Sequence, residues 1–355
     1  LIKKVNYPSL NGLRAMSVIM VVFGHLVYQH YLQWNFIGIK WLIPFELFLK
    51  DSQLGVNIFF VISGFLITSL MLQEELNTNT VSLKNFYIRR FLRIFPAYYF
   101  LLLVYFILSR TGYIYISTPS WITSITYTKY IFQEQYYDWY TGHFWSLSME
   151  ELFYLFWPFI FSFGNRIRKI VVISIVLLVP FLRLYAYYNP IEFTIFELSP
   201  LSRFDSIAIG CICALYIEEL LKIFKPYLAL LFCISFFGLI AFPYIIILAI
   251  RHNVEFIFIP LGRTHGSIAN LFIAFILLYS VFGRQGLWFK FLNTRVMNYI
   301  GLLSYSLYLW QQLFLYKNSW YFINQYPWNL VYIIIASMFS YYIIEKPFLR
   351  LKTKF

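Results

Sequence analysis

The chain has 355 residues, of which 61% are hydrophobic and 12% charged, and a formal net charge of +13. A soluble domain carries about a quarter of its residues charged, so this balance excludes an ordinary water-soluble enzyme and requires a protein built of membrane spans. The positive charge is scattered over short connections with no soluble reading module beside it, which excludes nucleic acid as a partner and leaves the anionic headgroups of membrane lipids.

Apolar runs of about twenty residues predict ten spans, centred near residues 12–31, 54–73, 94–109, 145–163, 167–185, 200–220, 226–250, 266–283, 298–317 and 328–345. The expected fold is therefore all-α, a polytopic membrane helix bundle of about ten transmembrane helices. No Gly/Ser/Pro linker, low-complexity tract or repeat interrupts the chain, so residues 1–355 are expected to form a single integral-membrane domain. Most lysines and arginines fall on one side of these spans, from Lys3 and Lys4 through Arg89, Arg90 and Arg93 to Lys352 and Lys354. By the positive-inside rule both termini are cytoplasmic. The N-terminus has no small-residue cleavage site, so the first span is expected to persist as a helix. Cys211, Cys213 and Cys233 lie in or beside spans and read as structural thiols.

The first span, "GLRAMSVIMVVFGH", carries Arg14 and His25. Eleven residues make three helical turns plus 20°, so both side chains leave one face, about 16 Å apart. Arg14 near the inner interface can snorkel to the headgroups. An imidazole past the middle of the bilayer is a functional candidate, with a pKa suited to proton handling. Next, "KNFYIRRFLRIFPAYYF" sets Arg89, Arg90 and Arg93 at the mouth of the third span. The positive-inside rule accounts for their charge; Arg90 and Arg93, three apart, also suit a phosphate clamp. "HFWSLSMEELFYLFWP" opens the fourth span with His143, Trp145, Ser146 and Ser148, followed by adjacent carboxylates at Glu150 and Glu151. Such a pair is costly in an apolar stretch unless it is paired or faces water. "SRFDSIAIG" adds Arg203 and Asp205, "YSLYLWQQ" Gln311 and Gln312, and "IIEKPFLR" Glu345. The aromatic outer stretch around residues 113–143 suits a sugar platform or an interfacial belt. There is no P-loop, zinc-type histidine pair, G-x-S-x-G elbow or CxxC, so an ATP-driven pump and a metal-dependent hydrolase lack their parts, and no metal is expected.

These blocks, in this order, resemble the membrane acyltransferase family 3, integral-membrane O-acyltransferases of bacterial envelope glycans, peptidoglycan and some small molecules. The matching stretches are "NGLRAMSVIMVVFGH", "GVNIFFVISGFLIT", "RRFLRIFP", "HFWSLSMEELFYLFWP", "SRFDSIAIG", "YSLYLW" and "IIEKPF". The resemblance implies a ten-span core that binds acyl-CoA, taken as acetyl-CoA, from the cytoplasm. It makes His25 the catalytic histidine with Arg14 its companion and sets Glu150 and Glu151 near the reaction centre. It makes Arg90 and Arg93 candidates for the coenzyme A phosphates; beside it, Arg89 and Arg203 are read as further donor-binding residues and His143, Trp145 and Ser148 as substrate contacts. Asn11, Asn57 and Gln311 depart from the family's usual aspartate, aspartate and histidine, so catalysis is not assigned to them. Many relatives add an extracytoplasmic hydrolase-like domain. This chain stops at Phe355 without one, so the stand-alone form is expected, with a glycan or lipid-linked glycan acceptor such as an O-antigen unit reaching the pore itself.

The expected localisation is a bacterial inner membrane, and the expected chemistry is general-base transfer through His25 or an acyl-histidine route. A flippase or transporter of lipid-linked sugars is the competing class, and it predicts paired helix interruptions in two related halves that the sequence does not show. An acyltransferase acting on a small hydroxylated molecule is a further alternative.

Overall fold

The computed structural model describes residues 7–29, 43–130, 138–189, 200–252, 254–317, 319 and 321–355. The outer-loop residues 131–137 of the aromatic stretch lie outside these. Regular structure among the described residues is helical throughout, with no strand. In chain order the helices are α1 (Leu10–Tyr28), α2 (Ile43–Lys50), α3 (Ser52–Thr78), α4 (Leu83–Arg110), α5 (Thr118–Ile125), α6 (Trp139–Gly142), α7 (Phe144–Ser162) and α8 (Asn165–Tyr188). They continue as α9 (Phe204–Leu215), α10 (Ile217–Phe224), α11 (Leu228–Arg251), α12 (Glu255–Phe282), α13 (Leu287–Leu292), α14 (Arg295–Phe314), α15 (Trp328–Phe339) and α16 (Lys346–Leu351). A π-helical turn, Ser340–Glu345, joins the last two.

Each of the ten expected spans overlaps helix. Five stretches of the described chain are long and apolar enough to cross a bilayer: Leu10–Tyr28, Ser52–Thr78, Leu83–Arg110, Ile217–Ala249 and Trp328–Leu351. The chain is a multi-pass membrane protein. Local chemistry sets the ends of these helices. Asp51 caps α3 by accepting from the Leu54 N–H at 2.9 Å, and Asn79 closes it in the left-handed region at φ 59°. Ser82 caps α4 through the Asn85 N–H at 3.3 Å. That cap starts α4 eleven residues before the predicted span at 94, so Arg89, Arg90 and Arg93, which precede the apolar run, already stand within the helix.

The helices gather into two compact units. The first comprises α1–α3, α8–α13 and α14 as far as Leu302. Its tightest crossing joins α3 to α9: a Cβ on Gly64 would lie 2.0 Å from the Ile207 carbonyl oxygen, and one on Gly210 would lie 2.1 Å from that of Val61. Small residues allow backbones to touch where lipid gives helices no hydrophobic reason to associate. Gly55 makes a similar contact with α1, where the Ser17 hydroxyl donates to its carbonyl at 2.5 Å. Around these crossings pack Leu13, Met20, Phe65, Ile209 and Leu277, all buried.

The second unit comprises α4–α7, the rest of α14, α15, the π turn and α16. Its core is aromatic. Tyr98 and Tyr105 are fully buried against Phe144, with ring centroids at 4.8 and 6.2 Å, and Tyr98 donates to the Ser124 carbonyl at 2.8 Å. Tyr87 ties α4 to α7 through the Leu155 carbonyl at 2.7 Å.

Candidate active site

Both units bury polar side chains. In the first, α1 presents Asn11, Arg14 and His25 along one side, all half-buried. The helix ends at Tyr28, which puts His25 in its last turn, where the helix dipole favours a cation. Gly24 brings this turn against the Lys50–Ser52 backbone, since a Cβ there would meet the Lys50 carbonyl oxygen at 2.9 Å and the Ser52 Cβ at 2.7 Å. The cap residue Asp51 therefore lies at the His25 end of α1. Arg203, half-buried, interacts electrostatically with Arg183, Asp205 and Asp51.

Asp205 is the hub of this set and is fully buried. One carboxylate oxygen accepts from Arg183 at 2.8 Å and from the Ser206 N–H at 3.0 Å; the other accepts from the Ser267 hydroxyl at 2.6 Å. Arg183 also donates to Ser267 at 2.7 Å and, through Nε, to the Ser202 carbonyl at 2.8 Å. These bonds lock α8, α9 and α12 together. Sequence reading gave Arg183 no role, although a lone arginine inside an apolar run was the signal that it needs a buried partner.

In the second unit, Arg90 and Arg93 share one side of α4. Arg90 rests on the rings of Phe86 and Tyr154, 5.7 and 4.9 Å from their centroids. It lies within the electrostatic reach of Arg93, Glu150 and Glu151, and Arg93 within that of Glu345 and Tyr341. Neither guanidinium has a hydrogen bond or ion pair among the described residues. Arg89 donates to the Phe355 carbonyl at 2.9 Å. Glu345, 5% exposed, accepts from the Ser306 hydroxyl, and Tyr305 donates to the Ile94 carbonyl at 2.8 Å. The α14 members of this set, Tyr305 and Ser306, escaped sequence reading because serine and tyrosine are unremarkable in an apolar run.

The three expected substrate contacts are all buried. His143 places Nδ1 2.6 Å from the Gln312 side-chain oxygen and Nε2 3.1 Å from the Leu309 carbonyl, and its backbone N–H donates to the same Gln312 oxygen at 3.2 Å. Ser148 donates back to the Phe144 carbonyl at 2.9 Å, and Trp145 is 8% exposed. His143 is thus bound at both ring nitrogens, joining the start of α7 to α14.

A chain of many apolar helices with arginines and carboxylates buried among them belongs to the class of multi-pass integral-membrane proteins. Comparison makes the class specific. A family model described as an acyltransferase domain matches residues 7–345, and the chain belongs to that family, the membrane acyltransferase family 3. It is similar to a "Putative O-acetyltransferase" of Staphylococcus aureus (strain COL), 30% identical over 98% of this chain and 58% of that protein. It is also similar to the O-acetyltransferase OatA of Staphylococcus aureus (strain NCTC 8325 / PS 47), 29% identical over 96% of this chain and 57% of that protein. The chain thus spans somewhat over half the length of these relatives. No solved structure matches it.

Proposed function

We propose that the protein is an acyl-CoA-dependent O-acetyltransferase of a bacterial inner membrane, with both termini cytoplasmic. It transfers the acetyl group of cytoplasmic acetyl-CoA to a hydroxyl of a cell-envelope glycan, such as a lipopolysaccharide O-antigen unit. Family membership across residues 7–345 and the names of the relatives support acyl transfer. The observation that carries the donor assignment is the pair Arg90 and Arg93, whose guanidinium donors meet no protein acceptor among the described residues. Planar forks of this kind match phosphate oxygens. Glu150 and Glu151 lie within the electrostatic reach of Arg90, and Glu345 within that of Arg93, so the carboxylates partly balance the two cations without occupying their donors.

In this reading His25 takes the proton of the acceptor hydroxyl as its oxygen attacks the thioester carbonyl carbon. The C–S bond breaks, the thiolate leaves, and the proton passes from His25 to sulfur, so ester and free thiol are formed without net proton change. Arg14 stabilises negative charge that develops on the donor. The test is transfer of radiolabel from acetyl-CoA to a hydroxylated glycan by the purified chain. Label in the glycan with wild type and none with His25→Ala is expected; equal transfer by both removes His25 from the mechanism, and no transfer by wild type to any glycan rejects the acceptor class.

A further inference from the structure

An arginine beside a carboxylate ordinarily pairs with it, because the carboxylate matches the guanidinium fork with two hydrogen bonds. Arg90 lies within the electrostatic reach of both Glu150 and Glu151, yet makes no ion pair among the described residues. Its guanidinium carbon lies instead over two aromatic rings, 5.7 Å from the centroid of Phe86 and 4.9 Å from that of Tyr154.

Local structure accounts for this placement. On α4, Phe86, Arg90 and Arg93 are spaced i, i+4 and i+7, so they form one stripe. On α7, Glu150 and Tyr154 are one turn apart and share a side. The two helices pack against each other within the second unit. The Tyr87 hydroxyl, on the residue after Phe86, donates to the carbonyl of Leu155, the residue after Tyr154, at 2.7 Å. That bond ties the helices together where the Tyr154 ring meets Arg90. Phe86 and Tyr154 are both buried, so neither ring can swing away into lipid.

A ring attracts the guanidinium charge through its face and takes none of the N–H donors, whereas a carboxylate occupies them. The ring contact therefore restrains Arg90 while leaving its donors available to a ligand. Arginine has a long, flexible stem, and ordering such a side chain weakens binding; restraining it beforehand removes that loss. We infer that Tyr154 is a positioning residue of the donor site: its ring, with Phe86, keeps Arg90 off Glu150 and Glu151 and presents its N–H donors to a phosphate of the acyl donor. That role rests on the reading of Arg90 as a donor-phosphate contact. Tyr154 acts through Arg90 and needs no contact with the donor itself.

Equilibrium binding of radiolabelled acetyl-CoA to the full chain in lipid nanodiscs tests this without an acceptor. Tyr154→Leu removes the ring, lets Arg90 pair with the glutamates and is expected to weaken binding about tenfold, the scale of one desolvated cation–ring contact. Tyr154→Phe keeps the ring and is expected to bind as wild type. Since Tyr154 acts through Arg90, Tyr154→Leu is expected to add nothing in an Arg90→Ala chain, a non-additivity that a general loosening of α7 would not give. With Arg90→Ala weak, three results overturn the role of Tyr154: wild-type binding by Tyr154→Leu, a Tyr154→Phe chain as weak as the leucine one, or losses that add in the double variant. Wild-type binding by Arg90→Ala rejects the donor assignment instead, and the role of Tyr154 falls with it. Should the leucine chain not elute as a monodisperse peak, Tyr154→Met, which fills the space flexibly without a ring, carries the same expectations.

Discussion

Replacing Asp205 by leucine removes the acceptor around which three helices of the first unit are joined. The lost contacts are the 2.8 Å ion pair to Arg183 and the 2.6 and 3.0 Å hydrogen bonds from Ser267 and the Ser206 N–H. Arg183 has 14% of its side chain exposed and keeps only neutral partners, Ser202 and Ser267. Breaking a buried pair from one side costs about 3–5 kcal/mol, chiefly because the surviving charge stays buried. Removing both charges, in Arg183→Met with Asp205→Leu, is expected to recover most of that loss, since apolar replacements of buried pairs are often near neutral. The measurement is a double-mutant cycle by reversible unfolding in mixed micelles. A coupling energy of about 2 kcal/mol or more is expected, well beyond the few tenths seen between independent sites. Additive losses, or an Asp205→Leu chain as stable as wild type, would show that the network does not hold the unit together.

At the α3–α9 crossing, Gly64→Leu places side-chain atoms where even a Cβ would lie 2.0 Å from the Ile207 carbonyl oxygen. The helices must part, so loss of a monodisperse peak in size-exclusion chromatography is expected, whereas Gly286→Ala, which meets nothing within 4 Å, elutes as wild type. Outside the spans, burial pushes Lys129 down to about 8 from an ordinary 10.5, with Asp138 opposing the shift. Between those values the unfolded chain keeps a proton that the folded one has released, so stability rises with pH from about 8 to about 10.5. Lys129→Met is expected to flatten that rise in unfolding measurements across the window; an unchanged slope refutes the assignment. Finally, Arg93→Ala is expected to raise the KM for acetyl-CoA about tenfold or more, as loss of one charge-assisted contact implies, while the acceptor KM stays fixed. A fall in kcat with donor KM unchanged would move Arg93 away from the phosphates.

Much of the architecture was legible in local pattern. A run of apolar residues must close its backbone hydrogen bonds internally to enter a bilayer, so each run read as a span overlaps helix, and five stretches of the described chain are long and apolar enough to cross. The paired arginines Arg90 and Arg93 and the carboxylates Glu150 and Glu151 were legible for the same reason, since an ionisable group is conspicuous against an apolar background. The helix start was not: the Ser82 cap, weak as a sequence signal, begins α4 ahead of the apolar run and includes both arginines in the helix.

The amino-acid order by itself therefore determined an all-helical membrane chain, its family blocks and the residues worth suspecting. Tertiary structure alone decided who meets whom. Asp205 is bound by Arg183, twenty-two residues away, and His143 is held by Gln312, one hundred and sixty-nine residues away. The partner of a buried polar group depends on how helices cross, and crossings are set by close packing at positions such as Gly64 and Gly210, whose contacts have no local signature.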